Sequence, residues 1–251
     1  MDICEKGEFF IENDDDVSFA YSKIILRDVD GNYFSAKTPQ RILRMTTIDI
    51  DELDLSPIPR DRIHPLVNSD FTVAPDPLPS TSYFKRPRLL YYENAGDYPE
   101  YSRFILTEAE ACEILRKHPH RNIAQYLGCV VQAGRIRGLG FAKYPITLSQ
   151  LLKEKTHFDR SRCLRGIEAG VSHMHGLGLV HNDLNPSNIM MDGDEPVIID
   201  FDSCKREGDE LGSKAGTHGW TPEGESHSRR ENDLYSLSKL RVALLEDDVK
   251  Y

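Results

Sequence analysis

Apolar residues recur at helical spacing in three stretches of the chain. A side chain returns to the same face of an α-helix every three or four residues, so this pattern predicts helices with one buried face. The first stretch predicts a helix over residues 99–117, the second a helix that Asp159 caps and Gly176 and Gly178 end, and the third a helix over 233–245. The apolar positions are Ile105, Ala109, Cys112 and Leu115; Cys163, Ile167, Val171 and Met174; and Leu234, Leu237, Leu240 and Leu244.

Short apolar runs between turn residues predict strands elsewhere. These runs cover residues 17–21, 24–26, 83–86 with a continuation over 89–92, 125–131, 137–144, 189–191 and 197–199. Asp30-Gly31 and residues 192–196 are typical of hairpin turns. Six prolines between residues 56 and 80 remove backbone donors. This stretch is therefore predicted to be an extended linker rather than a central strand.

Composition excludes several classes of protein. The net charge of −10 leaves no basic surplus for neutralising nucleic-acid phosphates. No apolar run of membrane-spanning length occurs, and the first residues lack the basic start and apolar core of a secretory signal. The five cysteines are scattered without a C-x-x-C pair, which favours neither zinc nor a disulfide framework. We expect an intracellular, cytoplasmic protein with no nucleic-acid or membrane partner.

The strongest chemical signal is His181-Asn-Asp-Leu-Asn-Pro-Ser-Asn188, with Asp200-Phe-Asp202 beginning twelve residues after Asn188. Phosphoryl transfer needs a carboxylate beside the acceptor hydroxyl and oxygen ligands for magnesium on the nucleotide phosphates. One loop carrying Asp183 and Asn188, next to a strand end carrying Asp200, would place these groups in one pocket. The pattern resembles the H-x-D-x-x-x-x-N and D-F-G signatures of protein kinases and their small-molecule-kinase relatives.

This resemblance implies a two-lobed α+β protein-kinase-like fold, with ATP and Mg²⁺ as cofactors. Asp183 would be the catalytic carboxylate, and Asn188 and Asp200 would be the metal ligands and part of the nucleotide site. His181 and Phe201 would be structural. The domains would be an acidic β extension over residues 1–57, a kinase-like N-lobe over 58–144 and an abbreviated C-lobe over 145–251.

The resemblance also implies a lysine–glutamate pair that fixes the lysine against the ATP phosphates. Lys85 falls where the family's strand lysine would lie, and counting back from His120-Arg-Asn-Ile123 indicates Glu110 as its catalytic partner. Glu113, about one turn later, is a second candidate. Thr107 and Glu110 also fit a helix capping box, which would make Glu110 structural.

Two landmarks of the resemblance follow Asp202. Gly216-Thr-His-Gly-Trp-Thr-Pro-Glu223 is similar to the end of a kinase activation segment, although one residue short. Asp233 matches the aspartate that anchors the catalytic-loop backbone in the family, with a solvent-facing helix cap as the alternative.

The chain departs from the family pattern in five ways. No glycine occurs between Gly31 and Gly96, so the G-x-G-x-x-G loop over the phosphates is missing. Asn182 replaces the arginine of H-R-D, Asn185 replaces a lysine of serine/threonine kinases, and Asp202 replaces the glycine of D-F-G. One helix is predicted after residue 223, where the family has several. The chain thus resembles a compact, divergent kinase-like family of fungal type.

The expected function is phosphoryl transfer by a divergent serine/threonine protein kinase acting on a protein substrate. The segment 216–223, which resembles a peptide-docking segment, favours this interpretation. A pseudokinase scaffold that binds partners without turnover is the second hypothesis, supported by the missing glycine loop. The third is a choline- or aminoglycoside-type kinase acting on a small hydroxylated molecule, supported by Asp202 and Asn185.

Overall fold

The structure is a computed structural model that describes residues 1–13, 16–42, 48–93, 101–212 and 216–245. The predicted helix positions 99 and 100 and most of the acidic run 14–16 lie outside these residues. The chain divides into two compact units. Unit 1 comprises Met1–Pro65 and Arg86–Arg103, and unit 2 comprises Leu66–Lys85 and Phe104–Tyr251.

Unit 1 is built on an antiparallel sheet in the order β1-β2-β3-β4. The elements are β1 (Asp2–Asn13), β2 (Asp16–Arg27), β3 (Tyr33–Thr38), β4 (Ser56–Ile58) and the short helix α1 (Arg60–Ile63). One face of the sheet buries Ile25 together with later residues of unit 1, and the other face buries Ile24 and Leu26. Alternate residues of a strand face opposite sides, so β2 supplies both clusters.

Unit 2 contains a second antiparallel sheet, in the order β5-β7-β6, and most of helix α2. Their bounds are β5 (Ser82–Lys85), α2 (Tyr101–Lys117), β6 (Tyr126–Gln132) and β7 (Arg135–Ala142). Helix α2 buries Ile105, Ala109, Cys112 and Leu115 in the core of unit 2, as their spacing predicts.

The remainder of unit 2 is helical with short strand pairs. Its elements are β8 (Ile146–Thr147), α3 (Leu148–Lys153), α4 (Arg160–Gly176), β9 (Leu179–Val180), a 3₁₀ turn (Pro186–Asn188), β10 (Ile189–Asp192), β11 (Glu195–Ile198), β12 (Lys205–Arg206) and α5 (Arg230–Leu245). Asp159 caps α4 by accepting from the Arg162 amide at 2.8 Å, which confirms the predicted cap. The hairpin β10–β11 brings Ile189 opposite Ile198, and this pairing sets the positions of the residues that flank it.

Several predicted elements differ from those observed. Residues 89–92 form a turn rather than a strand, and β1 and α3 were not predicted. Helix α5 begins at Arg230, three residues before the predicted start. In the described part of the chain, no helix is long and apolar enough to cross a membrane.

Candidate active site

Asp233 on α5 fixes the loop that follows β9. Its side chain is fully buried and accepts the backbone N–H groups of His181 and Asn182 at 2.9 Å each. The His175 ring nitrogen Nε2 lies 2.8 Å from the same carboxylate. Two adjacent backbone donors on one carboxylate lock the direction in which the loop leaves β9. The anchoring role predicted for Asp233 is confirmed.

Asn182, which stands where the family motif has arginine, is buried and structural. Its backbone is left-handed, with φ of 63°. The amide nitrogen donates to the carbonyls of Val180 and Ser203 at 3.0 and 3.1 Å and to Ser228 Oγ at 3.0 Å. The amide oxygen accepts from Asn232 Nδ2 at 3.0 Å. Asn182 therefore links the loop to the segment that follows Asp200.

The structure brings Asp183 and Asn188 together. Asn188 Nδ2 donates to the Asp183 backbone carbonyl at 2.8 Å and to its carboxylate Oδ2 at 3.0 Å. Asp183 Oδ1 accepts from Thr217 Oγ1 at 2.7 Å and from Asn185 Nδ2 at 3.2 Å. The half-buried Asp183 carboxylate thus accepts a hydrogen bond from the hydroxyl of Thr217, which lies in the segment that resembles a peptide-docking region.

Asp200 lies just beyond β11 and near the same loop. The Ile199 N–H donates to the Asn188 carbonyl at 3.0 Å, and His181 Nε2 lies 3.0 Å from the Ile199 carbonyl. Asp200 itself has left-handed backbone, with φ of 64°. Phe201 is fully buried and packs near His181, with 5.8 Å between ring centroids. Both aromatic rings are structural, as expected.

Lys85 at the end of β5 joins two carboxylates. Its Nζ lies 2.6 Å from Glu108 Oε1 and 2.5 Å from Asp200 Oδ1. The Lys85 and Glu108 side chains are only 17% and 6% exposed. Glu108 Oε1 also accepts the Phe201 N–H at 3.2 Å, so one carboxylate holds both the lysine and the segment after Asp200.

The prediction of Glu110 as the partner of Lys85 is wrong, because Glu110 is exposed and Glu108 forms the ion pair. Glu113 accepts instead from the Thr72 N–H at 2.7 Å and from Arg116 Nε at 3.1 Å. The capping-box alternative is wrong as well, because Thr107 lies within α2 rather than at its start. The helical spacing of the apolar residues in α2 indicates Glu108 rather than Glu110. Position 108 is three residues after the buried Ile105 and four before the buried Cys112, whereas position 110 faces away from them.

Carboxylates outnumber cations around Lys85. Burial alone would lower the pKa of Lys85, but Glu108, Asp200 and then Asp202 raise it above its usual value, so the side chain remains an ammonium ion. Burial raises the pKa of Glu108, and the neighbouring aspartates add to this shift against the effect of Lys85. One ammonium thus faces several carboxylates, and such a site favours an additional cation.

Asn188 and Asp200 fit a magnesium site made jointly by protein and phosphate oxygens. The Asn188 amide nitrogen makes both bonds to Asp183, so its amide oxygen is the atom that can serve as a ligand. Magnesium is commonly held by one or two protein oxygens, with substrate phosphates and water completing the shell. Within the described residues, no three His, Cys, Asp or Glu side chains form a metal cluster by themselves.

The structure thus combines a lysine paired to a helix glutamate, a loop aspartate beside an asparagine, and an aspartate just beyond β11. These are the groups that phosphoryl transfer by the kinase class of phosphotransferases uses. The family model of the protein kinase domain matches residues 97–250, more than half of the chain. The chain therefore belongs to the protein kinase domain family, and its α+β fold is that of this family. The matched region includes Glu108, Asp183, Asn188 and Asp200 but begins beyond Lys85.

Known proteins that resemble this chain are named as kinases, and their sequence identity to it is low. The chain is 33% identical over 91 residues to a serine/threonine-protein kinase/endoribonuclease IRE1 of Oryza sativa subsp. japonica, covering 32% of this chain and 10% of the relative. It is 37% identical over 65 residues to the eIF-2-alpha kinase GCN2 of Arabidopsis thaliana, covering 24% and 5%. It is 26% identical over 155 residues to the serine/threonine-protein kinase STY17 of the same plant, covering 55% and 26%. The aligned part is thus a small fraction of each relative's length.

Proposed function

We propose that the protein transfers the γ-phosphoryl group of ATP, with magnesium, to a serine or threonine hydroxyl of a protein substrate. The observation that carries this proposal is the double ion pair of Lys85 with Glu108 and Asp200. A lysine held between a helix carboxylate and a metal-ligating carboxylate is positioned for nucleotide phosphates. A scaffold without nucleotide chemistry has no need for this buried charge, which is costly to maintain.

Each site residue has a separate role in the proposed reaction. Lys85 would bind the α- and β-phosphates, and Glu108 would hold the Lys85 ammonium in place. Asn188 and Asp200 would hold Mg²⁺, which when bound neutralises charge on the phosphates. Asp183 would accept the hydrogen bond of the acceptor hydroxyl and orient the oxygen toward the phosphorus.

The preference for a protein hydroxyl is supported by Thr217. Its hydroxyl donates to Asp183 Oδ1 at 2.7 Å, and Asn185 Nδ2 donates to the same oxygen at 3.2 Å. Asn185 also reaches Thr217 Oγ1 at 3.2 Å, so it bridges the catalytic loop and the segment 216–223. That segment would then present a peptide next to Asp183. Kinase names among the relatives support the same class of substrate.

A setting inside the cell suits this reaction because ATP is available there. All five cysteines are free thiols, and four of them are buried. Buried free thiols are typical of proteins from reducing compartments.

The test is transfer of label from γ-³²P-ATP to serine- and threonine-containing peptide libraries, with and without Mg²⁺. Asp183→Asn is the matched inactive variant, since it replaces one carboxylate oxygen by an NH2 group of similar size. Label transfer that requires Mg²⁺ and is lost in Asp183→Asn supports the proposal. Mg-dependent transfer to choline or an aminoglycoside, with none to the peptides, would show that the acceptor is a small molecule rather than a protein.

A pseudokinase scaffold is the second candidate, favoured by the sheet of unit 2. In the described residues this sheet has the order β5-β7-β6, so β5 is an edge strand with no glycine-rich hairpin paired beside it. Such a hairpin would supply backbone N–H groups to the phosphates. Absence of transfer in the experiment above, together with absence of ATP binding in a calorimetric titration, would favour the scaffold.

A further inference from the structure

The connector, residues 86–103, links β5 to the later part of α2 and belongs to unit 1, whereas the residues on either side of it belong to unit 2. Arg86–Arg103 is part of unit 1, while Lys85 and Phe104 are part of unit 2. The peptide bonds at its two ends therefore lead directly to Lys85 and into the part of α2 that carries Glu108. A connector that is held firmly restricts both partners of the Lys85–Glu108 pair.

Glu5 on β1 holds the first half of the connector. Its carboxylate accepts the backbone N–H of Leu89 at 2.6 Å and that of Leu90 at 3.3 Å. The Leu89 side chain is fully buried beside Ile25 of β2. A carboxylate on two consecutive N–H groups forms charge-assisted bonds, which are stronger than neutral ones.

Lys23 on β2 holds the next residues of the connector. Its side chain is 1% exposed, and its ammonium donates to the Tyr92 carbonyl and, at 3.2 Å, to Glu93 Oε1. Glu93 Oε2 in turn lies 3.0 Å from Lys37 Nζ on β3. Burial lowers the pKa of Lys23, and the Glu93 carboxylate opposes that shift. A buried ammonium needs its partners, so the sheet and the connector stabilise one another.

Aromatic packing extends these contacts to the start of α2. Tyr92 is buried in the core of unit 1, and the Tyr101 ring lies 5.4 Å from the Tyr92 ring. Tyr101 is the first described residue of α2, and Glu108 follows seven residues later on the same helix. Because a helix is stiff over two turns, fixing Tyr101 limits the movement of Glu108.

We propose that the sheet β1–β3 clamps residues 89–93 of the connector, and that Glu5 and Lys23 are positioning residues for the Lys85–Glu108 ion pair. The clamp deepens the proposed function, on which its relevance to phosphoryl transfer rests. A 2.6 Å ion pair between a strand end and a helix requires both elements to keep their positions within a fraction of an ångström. The clamp supplies this constraint through the covalent chain. A partner that displaced the connector would weaken the pair and with it the site.

The experiment measures the rate at which an amine-acetylating reagent modifies Lys85 in the full chain, by peptide mass spectrometry. In the wild type the Lys85 side chain is 17% exposed and its ammonium is paired with two carboxylates, so its modification is slow. We expect Glu5→Ala and Lys23→Met each to raise the Lys85 rate about fivefold or more. Glu5→Gln keeps one oxygen acceptor and should give an intermediate rate.

Asp28→Ala is the matched control. Asp28 accepts two hydrogen bonds from Asn32, each at 2.7 Å, in the turn between β2 and β3 of the same unit. The clamp predicts that the Lys85 rate stays within about twofold of wild type in this variant. A rise equal to that of Glu5→Ala would show general loosening of unit 1 and overturn the proposal. Wild-type rates in both Glu5→Ala and Lys23→Met would also overturn it.

Lys23→Met separates a positioning role of Lys23 from a purely structural one. The variant retains the apolar stem and removes the buried charge, and Glu93 keeps an ion pair with Lys37. A purely structural Lys23 would leave the Lys85 rate unchanged in a folded variant. The modification rate of Lys85 is measured without nucleotide. Absence of phosphoryl transfer would therefore refute the proposed function, while the modification rates alone would decide whether the clamp exists. In an active wild type, Glu5→Ala should lower kcat/KM for ATP, but not further in a Lys85→Met background.

Discussion

At the scale of single residues, the two oxygens of the Asp183 carboxylate have different neighbours. Oδ2 accepts from Asn188, and Oδ1 accepts from Thr217 and Asn185. Oδ1 therefore faces the groups expected next to an acceptor hydroxyl, while Oδ2 stabilises the loop. This division supports the proposal that Asp183 acts in the chemical step rather than in nucleotide binding.

Asp183→Asn should therefore reduce kcat far more than it reduces affinity for ATP. An amide cannot take the hydroxyl proton, and loss of a general base typically costs about 10²–10⁴-fold in rate. Steady-state kinetics and calorimetric titration with Mg-ATP measure the two quantities separately. Parallel loss of ATP binding would contradict the assignment and indicate a structural role for Asp183.

Lys85→Met should weaken ATP binding, because it removes the only cation that the site presents between Glu108 and Asp200 among the described residues. Losing a charge-assisted phosphate contact costs about 1.5–3 kcal/mol, or roughly ten- to a hundredfold in affinity. Glu108→Gln should have a milder effect because it loosens the lysine without removing it. The exposed Glu110 provides the control, since Glu110→Gln should titrate like the wild type. An equal effect of the two glutamate variants would contradict the observed pairing.

Site residues were predictable from the sequence where their spacing is local. Asp183 and Asn188 lie in one short loop, so their separation along the chain nearly fixes their separation in space. Glu110 was predicted by counting along the chain from residues 120–123, whereas pairing with Lys85 on β5 depends on which face of α2 is buried. The buried positions Ile105 and Cys112 define that face, and they place Glu108 rather than Glu110 on it.

At the scale of elements, β5 and β7 approach one another closely beside Lys85. Lys85 pairs with Leu139 in the ladder, next to Gly138. A Cβ at Gly138 would lie 2.2 Å from the Lys85 carbonyl oxygen and 2.6 Å from a carbon of the Phe84 ring. The glycine thus permits the strand spacing that positions the lysine.

Gly138→Ala should displace β5 and lower both stability and ATP affinity. Overpacking of this kind costs about 1–3 kcal/mol in unfolding free energy. Gly134→Ala is the matched control, because Gly134 also has positive φ (71°) but its added Cβ would meet nothing within 4 Å. That variant should lose about 1 kcal/mol from backbone strain and retain ATP affinity. Urea unfolding and nucleotide titration of the two variants measure these effects. Equal ATP affinities would contradict the role of Gly138.

Elements with a regular apolar period were predictable, and those defined by tertiary contacts were not. Helices α2 and α4 each bury one face at the predicted positions. Strand β1 lacks a simple alternation of apolar and polar residues. One of its polar residues, Glu5, accepts a hydrogen bond from the connector. Residues 89–92 are apolar enough to suggest a strand, yet their N–H groups at Leu89 and Leu90 bond a side chain rather than a neighbouring strand.

At the scale of the whole molecule, each unit has hydrophobic clusters of its own. Ile24, Leu26, Ala36 and Ile42 form one cluster of unit 1, while the core of unit 2 includes residues from α2, α4 and β11. The domain boundaries expected from the resemblance remain a prediction.

A nucleotide that binds the proposed site should stabilise the folded state in proportion to the logarithm of its concentration.

Mg-ATP should therefore raise the unfolding free energy of the wild type by about 2.7 kcal/mol at a concentration a hundred times its Kd. Asp200→Ala should lose the magnesium-dependent part of this gain, because the variant removes a carboxylate that pairs with Lys85 and would hold the metal. Asp192→Ala, an exposed aspartate at the end of β10, is the control and should respond like the wild type. Thermal unfolding with ATP, with and without Mg²⁺, measures all three proteins. Equal stabilisation of wild type and Asp200→Ala by Mg-ATP would show that Asp200 is not a metal ligand.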